Sequence, residues 1–331
     1  ASDVYKRQMK MKVKYLVIAT AATLLAACSN DENEVNNGPV EARITAGIDG
    51  PKTRAIDQEW KAGNTIGVMV TSAPNSAMAD LYKNVKYNVD NIGATGTFTA
   101  ETGQGIFFQD ADEVVTFAAY SPYQSSADVS MLPGTDGTVT GVNTQDQSTQ
   151  KMQETFDYLF ASGATASKNS PTVEFKNGSQ FQHKMARLIL VLQTSTDYGF
   201  TADQVESGTY KLGGLIHDGT FNVTNGEAKA ATEAAVSDWD ITGNYHVDDS
   251  PADTRTYTMI LYPQTLSGPL TFSATIEGQT YTNNTDIYPT SLAAGTSYTY
   301  TITMKKTGLE VSGCTIGKWN QGTGGSGDAK M

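Results

Sequence analysis

Apolar and polar side chains alternate with a period of two through most of this chain. In YTYTITM, residues 298–304, Tyr298, Tyr300, Ile302 and Met304 share one face and Thr299, Thr301 and Thr303 the other, which predicts a half-buried strand. Strands of the same kind are predicted at YNV (87–89), EVVTFAAY (113–120), MARLILVLQT (185–194), TYTMILY (256–262) and LTFSATI (270–276). Glycine and asparagine separate these runs, and no long stretch holds the helical period. Short helices are expected at QKMQETFDYLFA and EAKAATEAA. The pattern predicts an all-β chain with short helical inserts, most simply two sandwiches or barrels. The polar stretch SKNSPTVEFKNGSQFQHKMARL gives way to a long apolar strand, so the division is placed near residue 180, with one domain at 55–180 and the other at 181–331. The closing GTGGSGDAKM reads as a flexible tail.

One alternating run stands apart. In VEARITAGID, Val40, Ala42, Ile44, Ala46 and Ile48 alternate strictly with Glu41, Arg43, Thr45, Gly47 and Asp49, giving five apolar positions on one face of a single strand. GPKTRA follows it, a Gly-Pro turn that presents a basic site in a chain sparing with basic residues. Exposed turns of this kind are where proteolysis concentrates. The run therefore reads as the first strand of the first domain, as a segment removed by a cut after Arg54 that leaves Ala55 as the new N-terminus, or as both.

Upstream, ASDVYKRQ (1–8) matches no targeting pattern and is read as an assembly artefact ahead of a native start at Met9 or Met11. Residues 9–27 then form a signal peptide, with Lys10, Lys12 and Lys14 before an apolar run too short to span a bilayer. It ends in Leu25-Ala26-Ala27-Cys28, which resembles the bacterial lipobox, where the cysteine becomes the lipidated N-terminus; an ordinary signal peptide with a chance cysteine is the alternative. The acidic SNDENE after Cys28 suits a tether and resembles a surface-export signal, and residues 28–54 together read as a propeptide.

Charge and cysteine count narrow the classes. The residues after Arg54 hold 15 basic and 29 acidic side chains, a net charge of −14, which repels phosphate backbones and makes nucleic acid an unfavourable partner. Cys28 and Cys314 are the only cysteines, so a lipidated Cys28 leaves no disulfide framework and the fold must rest on its core. Catalytic motifs are absent: there is no G-x-S-x-G, no phosphate-binding glycine loop and no H-E-x-x-H. His183, His217 and His246 lack metal-ligand spacing, and Cys314 has no neighbouring histidine, so no metal, no cofactor and no enzyme activity is expected. Trp60, Trp239 and Trp319 read as core or interface anchors, or else as a sugar-stacking surface.

In order along the chain, the lipobox, TRAIDQEWKAGNTIGVMV, YNVDNIGATGTFTA, VTFAAYSPY, FDYLFASG, VEFKNGSQFQHKMARLILVL, ILYPQTL and LAAGTSYTYTITMKKTGLEVSGCTIGKWNQG resemble the Bacteroidales fimbrillins, subunits of type V pili. The resemblance spans nearly the whole mature chain and is nearest to the fimbrillin-like, minor-fimbrillin-like branch. It implies two tandem transthyretin-like Greek-key β-sandwiches, made as a lipoprotein precursor at the outer membrane. An Arg-specific, gingipain-like surface protease would cut after Arg54. Loss of the 40–48 strand would open a groove that a neighbouring subunit's C-terminal strand fills. The donor expected here is GLEVSGCTIGKW, with Leu309, Val311, Ile316 and Trp319 as its apolar residues; Gly313 is expected to mark a bulge, because Ile316 and Trp319 fall out of phase with the first two. The partners so implied are other fimbrial subunits and an unidentified host or bacterial adhesion target. A lipid-anchored protein that binds glycan or a host protein without polymerising is the alternative. A fimbrial anchor subunit is another, and the basic site argues against it.

Overall fold

A computed structural model describes residues 38–49, 59–249, 253–283, 286–287 and 289–319. The signal peptide, Cys28, Arg54, Ala55 and the glycine-rich tail lie outside the described residues. Strands dominate, and three short helices occur among the described residues, Met78–Leu81, Gln150–Phe156 and Ala202–Ser207. None is long and apolar enough to cross a membrane.

The first half is built on one eight-stranded sheet. Its order runs Thr172–Phe175, Arg43–Gly47, Thr95–Ala100, Val85–Asn91, Thr65–Ser72, Val115–Ser121, Leu159–Ala166 and Gln182–His183. Thr172–Phe175 at one end follows Leu159–Ala166 near the other end through a tight turn bridged by Ser167 and Ser170, so the sheet curls around a single apolar core. Ile66, Val68, Val85, Phe117 and Val173 fill that core, each fully buried.

The second half packs two sheets face to face. One has the order His246–Asp249, Thr254–Leu261, Ala186–Thr194, Thr296–Lys305 and Gly308–Lys318. The other runs Trp239–Asp240, Thr209–Gly213, Thr271–Ile276 and Gln279–Thr282. Leu188, Leu190, Leu192, Met259 and Ile302 from the first meet Leu212, Phe272 and Ala274 from the second in one core. The alternation read at residues 298–304 is the burial seen, with Tyr298, Tyr300, Ile302 and Met304 all inward.

A third core joins the halves. Met69, Tyr120, Tyr158 and Phe160 from one side meet Met185, Phe221, Ile260 and Tyr262 from the other. A three-stranded sheet crosses with it, Thr138–Asn143 pairing antiparallel with Asp218–Asn222, which pairs with Glu227–Ala230. The side chain of Gln147 imitates a strand here: its Nε2 donates to the Ile260 carbonyl at 2.8 Å, and its Oε1 accepts from the Ile260 N–H at 2.9 Å.

Of the two expected helices, one forms. Gln150–Phe156 is capped by Thr149, whose Oγ1 accepts from the Met152 N–H at 3.1 Å, and it buries Gln153 and Phe156. The other expectation is overturned, because EAKA is the strand Glu227–Ala230. Gly226, at φ +72°, closes a tight turn onto it, and any Cβ there would meet the Phe160 ring at 2.5 Å. Ala228 then points inward while Glu227 and Lys229 point out, so packing on the interface core overrides helix propensity.

Candidate functional site

Residues 40–48 run extended as two short strands in line, Val40–Glu41 bonded on one edge and Arg43–Gly47 bonded on both. Val40 and Glu41 pair antiparallel with Phe108 and Phe107, and the Ala42 N–H donates to the Ile106 carbonyl at 2.8 Å. Arg43–Gly47 then lies between two strands. It is antiparallel to Thr95–Ala100, with Ala46 opposite Gly96, and parallel to Thr172–Phe175, with Ile44 opposite Val173. At the far end the Phe181 N–H donates to the Gly47 carbonyl at 3.0 Å, and the Asp49 N–H to the Phe181 carbonyl at 2.8 Å. The segment is internal to the sheet, so taking it away would unpair two strand edges.

Its side chains obey the alternation. Ala42, Ile44 and Ala46 are 3%, 2% and 1% exposed; Val40 and Ile48 are half-buried at the ends; Glu41 and Arg43 face solvent. Around them lie Phe98, Ile106, Phe108, Val173, Phe175 and Phe181 of the same core. Burial of Ile44 alone contributes roughly 1.5–3 kcal/mol. The Tyr87 hydroxyl, held above its ordinary pKa by burial, accepts from the Ile106 N–H at 3.0 Å and braces the segment that receives Ala42. The residues 40–48 thus occupy a closed slot of aromatic and branched side chains.

Trp60 closes the slot near Ala46. Its indole Nε1–H donates to the Ala46 carbonyl at 2.8 Å. The ring stands edge-on to Phe98 at 4.9 Å and to Phe181 at 5.1 Å between centroids. The sequence marks Trp60 as an anchor but carries no signal for this hydrogen bond, which depends on a strand fourteen residues away.

The C-terminal strand is folded in. Gly308–Lys318 pairs along its length with Thr296–Lys305 as the last strand of its sheet, and among the described residues its other side carries a bridge from Leu309 to Asn283. The register shifts between the pairs Tyr300–Cys314 and Thr301–Ser312, which leaves Gly313 as the extra residue of a bulge. Leu309 is fully buried and Val311 packs partly against the same core. Past the bulge, half-buried Cys314 faces that core, while Ile316 is 44% exposed. Tyr300, across from Cys314, has its hydroxyl pushed up by burial and by the thiol beside it. Trp319 enters the interface core instead, stacked on His183 at 4.0 Å with the Arg187 guanidinium 4.8 Å from its ring centroid. His183 Nδ1 lies 2.8 Å from buried Asp157 Oδ1. The four apolar residues expected on the donor therefore divide among two cores and the surface.

Trp60, Trp239 and Trp319 are 1%, 4% and 3% exposed and sit in three different cores, so they form no sugar-stacking surface. Among the described residues no cluster of three His, Cys, Asp or Glu side chains could hold a metal ion. His217 is held neutral by burial, its pKa lowered to about 4, with Nδ1 at 3.1 Å from Thr144 Oγ1.

Known proteins share this architecture. A family model described as fimbrillin-like matches residues 53–319, beginning next to Arg54 and omitting the 40–48 strand. A Bacteroides uniformis protein whose name makes it a fimbrium subunit, Fim1C, is 31% identical over 324 residues, 95% of this chain and 98% of its own. A crystal structure of a Bacteroides ovatus protein described as a cell-adhesion protein has a TM-score of 0.69 at 25% identity, covering 85% of this chain and 98% of its own. A second, from Bacteroides uniformis and described in the same words, has a TM-score of 0.63 at 24% identity, covering 86% and 100%.

Proposed function

This chain belongs to the fimbrillin-like family, and from that premise we propose that it is a stalk or tip subunit of a surface fimbria, assembled by strand replacement and serving adhesion. In this reading the precursor is lipidated at Cys28 and carried to the outer membrane surface. An Arg-specific protease there cuts after Arg54, and Ala55 becomes the N-terminus. The 40–48 strand then leaves its slot, and a C-terminal strand of a neighbouring subunit takes its place.

The observation that carries the reading is the position of the 40–48 strand. Its Arg43–Gly47 part is paired on both edges inside the first sheet, and Asp49, which follows it, stands five positions before Arg54. Removing it would unpair two ladders and uncover aromatic side chains, and β-strand addition satisfies both defects at once. While present, it keeps the precursor from polymerising. The family match beginning at residue 53 agrees with a mature body that starts beyond the strand.

The C-terminal strand supports the donor role less evenly. It is the last strand of its sheet, so it leaves by breaking one full ladder. It also gives up the burial of Leu309 and Trp319. Arg54→Ala tests the reading: cells carrying it are expected to hold the subunit as lipidated monomers. SDS-resistant multimers in that strain would exclude a cut at Arg54 as the trigger.

A further inference from the structure

The way the slot holds its present strand restricts what else it can hold, and the restriction centres on Trp60. This residue follows the expected cut, so it stays with the body of the subunit. Its backbone exchanges two hydrogen bonds with Gly93, at 2.8 and 2.9 Å. Its ring is clamped edge-on between Phe98 and Phe181. It also lies against Gly96, where a Cβ would come within 2.8 Å of the indole. The direction of the indole N–H is therefore fixed by groups that do not leave with the 40–48 strand.

That N–H points at a group that does leave, the Ala46 carbonyl, at 2.8 Å and in a fully buried setting. A buried donor without an acceptor is unfavourable, so an occupant that fails to supply a carbonyl at this point is disfavoured. Size acts at the same place. Ala46 faces Gly96 on one ladder and Phe175 on the other, and it is 1% exposed. A larger side chain there would have to displace clamped aromatic rings. Two residues earlier the slot takes the branched side chain of Ile44, and two before that the small Ala42, both nearly as buried.

We propose that Trp60 is the specificity-determining residue of the slot. It fixes the register of any occupying strand by donating its indole N–H to a backbone carbonyl at the Ala46 position, and it limits the side chain there to alanine or glycine size. The ligand class is an extended peptide with a small residue at that point and a branched apolar residue two positions before it. This rests on the strand-replacement reading above.

The test uses the whole precursor, cut after Arg54 in vitro by an Arg-specific protease, and a fluorescent synthetic peptide of residues 38–49. Exchange of the resident segment for the peptide is followed by anisotropy, and unlabelled variants compete. Against the wild-type protein, the Ala46→Val peptide is expected to bind roughly tenfold more weakly, and the Arg43→Ala peptide as well as the parent. Trp60→Phe, which keeps a ring but removes the donor, is expected to hold the parent peptide roughly three- to tenfold more weakly. Equal binding of the Ala46→Val peptide, or equal binding by Trp60→Phe, overturns the proposal. Should Trp60→Phe not fold, the peptide series on the wild-type protein decides alone. Failure of the parent peptide to enter the cut protein contradicts the strand-replacement reading itself, and the proposal falls with it.

Discussion

Ile44 sits at the middle of the slot strand with 2% of its surface exposed, opposite Val173 on one ladder and Phe98 on the other. Ile44→Asp would bury a carboxylate against these groups and is expected to destabilise the uncut precursor by a few kcal/mol, about 3. Thermal unfolding of the uncut chain checks this, and an unchanged midpoint would mean the strand contributes nothing to stability. A second residue-scale effect comes from His217. Its folded pKa is lowered to about 4 by burial, below an unfolded value of about 6.5, so the unfolded chain binds the extra proton in between. Stability is therefore full above about pH 6.5 and falls as the pH drops toward 4, by up to about 3 kcal/mol. Melting curves between pH 6.5 and 5 are expected to show the fall, and His217→Phe is expected to flatten it. The inward set at 40–48 was legible in the sequence because period two forces alternate side chains to one face. The Trp60 hydrogen bond was not, since it joins a side chain to a backbone carbonyl fourteen residues away and leaves no periodic trace.

At the scale of elements, two strands differ in how they are held. In the slot strand Arg43–Gly47 is bonded on both edges, whereas Gly308–Lys318 is bonded fully on one and pinned at its end by Trp319. Trp319→Ala would remove the stack on His183 and the contact with Arg187. It is expected to destabilise the protein by roughly 3–5 kcal/mol and to speed amide exchange at 308–318 more than at 40–48. Equal acceleration in both segments would mean that Trp319 stabilises the fold globally and does not specifically pin the last strand. Sequence pattern found most central strands, because alternation with branched and aromatic residues has few other readings. It misplaced a helix at EAKAATEAA because alanine, glutamate and lysine favour helices locally, and only the turn at Gly226 and the interface core reveal the strand. The out-of-phase Ile316 and Trp319 were visible in the sequence, and the bulge at Gly313 accounts for part of that shift. What the pattern could not supply was the destination of Trp319, a core shared with the other half of the molecule.

Over the whole molecule, the two halves are joined by an apolar core and a sheet that crosses between them. A joint packed in this way resists bending between the two halves. Gln147 is the polar part of the joint. Gln147→Leu would leave the Ile260 N–H and carbonyl without these bonds, and it is expected to lower stability by about 2–4 kcal/mol and to split one calorimetric transition into two. A single transition at an unchanged temperature would mean that Gln147 does not couple the halves. The joint could not be read from the sequence, because Tyr120 and Tyr262 sit in runs that look like ordinary strand interiors and Tyr158 in a run that reads as a helix. Assembly by strand replacement requires that subunits lose residues 28–54. Mass spectrometry of multimers isolated from the cell surface tests it most directly. The chains in those multimers are expected to begin at Ala55 and to lack residues 40–48; multimers built from chains that keep an acylated Cys28 and the intact strand would rule strand replacement out.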